Sequence, residues 1–157
     1  MNKRMWICCV FLLCCVAMSS VPGCGKRKDK WTEQRPPVYV TTGQVLNNGV
    51  PVDKAVVKFQ PIDSVGKPGF AVTDADGRFE VQTFDPGDGL TAGKHRVAIQ
   101  KVQLVDAQGN VLERLVDDRP TTEQHLLPEK YSTFSKSGLE VTIEADKKNK
   151  LEPFDLK

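Results

Sequence analysis

The chain has 157 residues, with 22 Lys and Arg against 20 Asp and Glu, for a formal charge of +2. Residues 38–157 alone carry 15 basic and 18 acidic side chains, about −3, which leaves no electrostatic footprint for nucleic acid or another polyanion. That stretch is long enough to bury one core without covalent staples, so a single domain is expected there.

All five cysteines fall in the first 24 residues, at 8, 9, 14, 15 and 24, so the domain that follows folds without disulfides. Lys3 and Arg4 precede an uncharged apolar run, Met5 to Met18, which is the layout of a signal peptide. As a helix this run rises about 21 Å, short of the roughly 30 Å of hydrocarbon that a spanning segment must cross. The end of the leader resembles a bacterial lipobox, with Val21 at −3, Gly23 at −1 and Cys24 at +1, while Pro22 departs from the usual small or hydroxyl residue at −2. The resemblance implies cleavage after residue 23, with a diacylglyceryl thioether and a palmitate-type N-acyl chain on Cys24. Several acyl chains at about 0.8 kcal/mol per buried methylene make a stable anchor. Gly25 stands at +2, where enterobacterial lipoproteins retained in the inner membrane carry aspartate, which favours the outer membrane.

Residues 24–37 form a tether. Lys26, Arg27, Lys28 and Lys30 follow the proposed lipid and suit anionic headgroups, at about 1 kcal/mol per charge near the surface. Pro36-Pro37 stiffens its far end.

From residue 38 the chain reads as short strands and turns, with almost no helical periodicity. Val38 to Leu46 opens, and Asn47-Asn48-Gly49 turns it. Ala55, Val57 and Phe59 share one face of the next strand, with Lys58 and Gln60 on the other. A strand near Phe70 to Thr73 precedes the turn Asp74-Ala75-Asp76-Gly77, then Phe79 and Val81 point the same way. The cluster Phe84 to Gly89 is a further turn. Val97 and Ile99 share parity with His95, which places His95 at the rim of the core. Val102 to Gln124 is longer and more polar than a tight connection. Val105, Val111, Leu112, Leu115 and Val116 suit a hairpin about Gln108-Gly109-Asn110 that closes against the core. Leu139, Val141 and Ile143 alternate with polar residues, and Leu151 to Leu156 ends the domain. About seven strands, each with one apolar face, predict an antiparallel, Ig-like two-sheet sandwich; no βαβ spacing favours a parallel sheet. Gly49, Gly77 and Gly89 are expected to be structural turn glycines, Gly49 and Gly77 at positions that call for positive φ.

Several strings taken in order carry a resemblance: Thr42-Gly43-Gln44-Val45, Gly49-Val50-Pro51-Val52, Ala55 to Phe59, Thr73 to Phe79, Pro86 to Gly89, Gly93 to Val97, and Leu127-Pro128-Glu129-Lys130-Tyr131. Together they resemble the carboxypeptidase regulatory-like, or transthyretin-like (prealbumin-like), domains of bacterial envelope lipoproteins. The likeness covers most of residues 40–157 and implies a seven-stranded antiparallel sandwich with a non-catalytic role. It implies no ligand, because the family is defined by fold.

Site candidates are few. Asp74 and Asp76, with Asp85 and Asp88, are weak candidates for calcium; an EF-hand is excluded because its first and last ligand positions are Val72 and Thr83. His95, His125, Tyr39 and Tyr131 equal the ligand count of an intradiol dioxygenase, but that family's paired histidines are missing and His125 falls in a polar loop as a solvated residue. The Tyr-Arg-Gly-Ser ending of transthyretin-related hydroxyisourate hydrolases is absent, and the chain ends Leu151-Glu152-Pro153-Phe154-Asp155-Leu156-Lys157. Lys58 on an outward face and Asn149 in a turn do not suit an isopeptide bond. No G-x-S-x-G elbow occurs, and Cys24 is consumed by the anchor. No cofactor or metal is expected. The reading is therefore a lipid-anchored, non-enzymatic envelope protein that binds a protein, glycan or other envelope component. Its contact surfaces are loops at one end of the sandwich and the segment 102–124. The alternative is an accessory domain acting in trans with an envelope enzyme or transporter.

Overall fold

Thr41, Gly43 and Val45 turn inward while Thr42, Gln44 and Leu46 turn outward, and that alternation makes β2 (Thr41–Asn47) the axis of one sheet. The computed structural model describes residues 34–112 and 121–157. The chain divides into two units, Met1–Arg35 and Pro36–Lys157, and every described strand lies in the second. The leader, Cys24 and most of the tether lie outside the described residues.

β2 is sandwiched laterally. On one side it pairs antiparallel with β3 (Val50–Pro51) and β6 (Arg78–Glu80). On the other it pairs with β13 (Asn149–Lys150) and β14 (Phe154–Leu156), both parallel to it. β1 (Val38–Tyr39) precedes β2 and pairs with β7 (Leu90–Thr91). A second, wholly antiparallel sheet has the order β12 (Leu139–Ile143), β8 (Gly93–Gln100), β4 (Val56–Pro61), β5 (Gly69–Val72). A third carries β9 (Val102–Asp106) between β10 (Val111–Leu112) and β11 (Thr121–His125). Among the described residues helix is confined to a 3-10 turn at Glu129–Ser132 and a short helix α1 (Phe134–Ser137), stopped by Gly138 at φ +65°. The protein is all-β in class.

Two sequence expectations are corrected. Pairing is not antiparallel throughout, because β13 and β14 run parallel to β2. A parallel pair needs a long crossover but not a helical one, and here everything between β2 and β13 serves as that crossover. The hairpin about Gln108–Asn110 is present, but its described residues do not close against the core: β9 is half-buried, Val111 is 59% exposed, and no described residue of 102–125 belongs to the core cluster, while Leu115 and Val116 lie outside the described residues.

The core is built by the inward parities. Val57 and Phe59 from β4, Val97 and Ile99 from β8, and Ile143 from β12 meet Val45, Phe79, Phe154 and Leu156 from the β2 sheet. Phe79 links the layers: its ring centroid lies 6.1 Å from that of Phe59 and 6.3 Å from that of Phe154. Each such side chain contributes about 1.5–3 kcal/mol by burial. Thr73 closes one corner, its hydroxyl donating to the Val52 carbonyl (2.6 Å) and accepting from Ala55 N–H (2.8 Å). The chain terminus is pinned by Tyr131, whose hydroxyl exchanges 3.2 Å hydrogen bonds with the backbone of Lys157.

Gly77 and Gly49 allow a contrast. Gly77 has φ +71°, and a Cβ there would sit 2.5 Å from the Val45 carbonyl oxygen; Gly49 has φ +80° with nothing within 4 Å. Gly49→Ala is expected to cost only the left-handed strain, about 1 kcal/mol, whereas Gly77→Val adds a backbone collision and costs more than about 2 kcal/mol. Urea denaturation of the two variants measures the difference, and equal losses would show that the collision is relieved by a backbone shift.

Candidate functional site

Acidic turns account for four of the residues singled out in the sequence. Asp74 Oδ1 accepts from the N–H groups of Asp76 (2.9 Å) and Arg78 (2.8 Å), so its carboxylate organises its own turn. Asp88 does more: Oδ1 accepts from Thr83 N–H (2.7 Å), and Oδ2 from Phe84 and Asp85 N–H (both 2.9 Å). Asp76 and Asp85 are exposed. Among the described residues no three His, Cys, Asp or Glu side chains gather as a metal site. Gly89, at φ +98°, is required by packing, since a Cβ there would run into the Tyr39 carbonyl.

The two histidines lie in unrelated places. His125 ends strand β11, exposed, rather than lying in a loop. His95 is fully buried rather than at the rim, because loop 62–68 folds back beside it: Ile62 N–H donates to the Lys94 carbonyl (2.9 Å) and Lys67 N–H to Thr91 Oγ1 (3.2 Å). Its Nε2 bonds the Thr91 carbonyl at 2.9 Å, which makes Nε2 the protonated nitrogen, and Nδ1 is buried without a partner. Burial pushes the imidazole pKa below its ordinary 6.5, against the opposing pull of the Thr91 carbonyl and the Asp63 carboxylate. Tyr39 is half-buried in β1, and Tyr131 is a terminus clasp whose pKa is lowered chiefly by the Lys157 backbone bond. Lys58 faces outward, and Asn149 begins β13 rather than sitting in a turn. There its amide holds Glu144 N–H and the Glu144 and Lys147 carbonyls at 3.0–3.2 Å.

Two surface features stand apart from the core. One is the three-stranded arm β9–β11, which continues from β8 after Lys101 and is clasped at its base by Leu126 N–H to the Lys101 carbonyl (2.8 Å). Its tip is set by Asp106, whose Oδ1 accepts from Gln108 and Asn110 N–H (2.9 and 2.8 Å). The other is a groove of about 1130 Å³ over the outward faces of β2, β6 and β5, bordered by the link Leu151–Pro153 between β13 and β14. Sequence reading missed the groove. Its one signal was Phe70 and Val72 flanking Ala71, apolar residues on both parities of one strand, of which Phe70 and Val72 are 46% and 53% exposed.

No family model and no curated protein matches the chain. Among solved structures, it is similar to the 9R-lipoxygenase from Cyanothece PCC8801 at 16% identity and a TM-score of 0.37, over 78% of this chain and 17% of that one. Likeness at that level speaks to neither fold nor chemistry.

Because His95 is held neutral in the folded state, unfolding lets it take up a proton once the pH drops. Its contribution to stability is present above 6.5 and is lost as the pH falls through 6.5 toward the lower folded value. Stability measured by denaturant between about pH 7.5 and 5 is therefore expected to fall with acidification, and less steeply in His95→Leu. Parallel slopes for the two proteins would refute the assignment.

Proposed function

We propose that this is an exported, lipid-anchored, non-enzymatic protein of the cell envelope, held by lipid on Cys24 and using its β domain as a scaffold for binding. The observation that carries the reading is the arm: a three-stranded extension, absent from the core, projecting from the longest strand of the domain. A sheet that extends away from the core into a partly apolar, exposed tip suits recognition better than folding. The seven-stranded transthyretin-like, carboxypeptidase regulatory-like architecture belongs to the same proposal. It is supported by taking β1 with β2, and β13 with β14, as interrupted single strands, which with β4, β5, β6, β8 and β12 makes seven. The non-enzymatic reading is supported by the separation of His95 from His125 and by the use of Asp74 and Asp88 as turn acceptors.

Two measurements test it. Intact mass of the protein from host membranes is expected to show a chain beginning at Cys24 with added acyl mass, and Cys24→Ala is expected to lack it; an unmodified chain retaining residues 1–23 would end the lipoprotein reading. Replacing residues 103–122 by a short Gly-Ser linker is expected to lower the melting temperature by less than about 4 °C, the equivalent of under about 1 kcal/mol. A photo-crosslinking residue at Val111 should give a defined envelope adduct that the same residue at Val65, 79% exposed on the far loop, does not. Collapse of the domain on deletion would make the arm part of the fold.

A further inference from the structure

From the groove over β2, β6 and β5, we infer a binding site for a neutral, linear glycan; the inference rests on the reading of the protein as an envelope binding module. The groove is larger than the roughly 300–1000 Å³ typical of a site for one small molecule. Its charges are of both signs and nearly cancel, with two cations, Arg78 and Lys150, against three carboxylates, Asp74, Glu80 and Glu152. Among the described residues Arg78, Glu80, Lys150 and Glu152 form no ion pair with one another or with any other group. A polyanion or polycation would meet like charge here, whereas a polyhydroxylated neutral chain finds donors and acceptors of both kinds. Guanidinium, carboxylate and amide groups are planar and two-pronged, the geometry that grips adjacent hydroxyls.

Two further features fit a sugar. Phe70 presents a half-exposed ring at the groove wall, a platform for the apolar face of a pyranose. Beside it the β5–β6 hairpin is incomplete. Asp74 N–H bonds the Arg78 carbonyl (2.8 Å), and Phe70 and Gln82 exchange bonds (3.0 and 2.9 Å), but β5 and β6 form no continuous ladder and Val72 is not paired with Glu80 between those points. The alternation of bonded pairs in β4–β5 points the Val72 N–H and C=O at that open rung, so main-chain polar groups border the groove. A peptide fits less well. Strand addition needs a run of free edge, and one open rung closed at both ends does not provide it.

The test is calorimetric titration of the detergent-solubilised full chain with maltohexaose, cellohexaose and chitohexaose. At least one is expected to bind with a Kd on the order of 10 μM to 1 mM, unchanged between low and high salt. Phe70→Ala and Arg78→Ala should each weaken it at least about tenfold while Val111→Ala on the arm leaves it intact, with melting temperatures verifying that the variants fold. No binding of any of the three sugars, affinity indifferent to Phe70 and Arg78, a steep loss with salt, or selection at Phe70 of extended peptides from a displayed library would each overturn the inference. None of those results bears on the acyl mass at Cys24, so failure of the groove and failure of the envelope reading are distinguishable.

Discussion

Gly43 is the position on which the packing of the domain turns. It lies opposite Phe79 in the β2–β6 register, and a Cβ built there would meet the Phe79 ring 2.5 Å away. The missing side chain lets that ring lie across the central strand and reach Phe59 in the opposite sheet and Phe154 in the parallel strand. One absent methyl thus joins three elements that are far apart in sequence. A strand with partners on both edges has no lateral freedom to relieve a clash, so the space must come from residue choice.

Much of the fold was legible because alternation survives in short strands. Ala55, Val57 and Phe59, then Phe79 and Val81, then Val97 and Ile99, were assigned inward from spacing alone, and all are buried. Direction was not legible. Parity says which face a residue takes and nothing of whether its strand runs with or against its neighbour, so the parallel docking of β13 and β14 left no mark in the pattern. His95 shows the same limit. Its parity was plain, but its complete burial depends on loop 62–68, whose Gly and Pro residues specify turns without saying where they fold back. The arm misled for another reason. Val105, Val111 and Leu112 are as apolar as core residues, and only tertiary placement separates an apolar tip from a core strand.

Side chains that looked like ligands in the sequence mostly serve the backbone. Short sheets joined by long turns leave many N–H groups outside the ladders, and each turn here brings its own acceptor: Asp74, Asp88 and Asp106 for their own loops, Asn149 for the turn before β13. Asp88 alone satisfies three amides. Asp74 and Asp88, so engaged, each have a structural use in their own turns. The arrangement also explains how the domain holds its loops with five cysteines spent elsewhere in the chain and none available to it.

The outward faces obey a different economy. Folding constrains them little, so polar residues at Thr42, Gln44, Arg78 and Glu80 follow from solvation alone, but Phe70 and Val72 do not. These two sit where the chain leaves one sheet for the other: β5 pairs within the four-stranded sheet, and β6 belongs to β2. A hairpin divided between two layers must open somewhere, and it opens at Val72–Glu80, between rungs fixed by the turn and by the Phe70–Gln82 bridge. The open rung is therefore a consequence of closing the core, whereas the exposed aromatic ring beside it is not. Thr or Lys at 70 would serve the edge of the sheet equally well and would resist unwanted pairing better. An aromatic in that place is what the proposed glycan site would account for and the closing of the core does not.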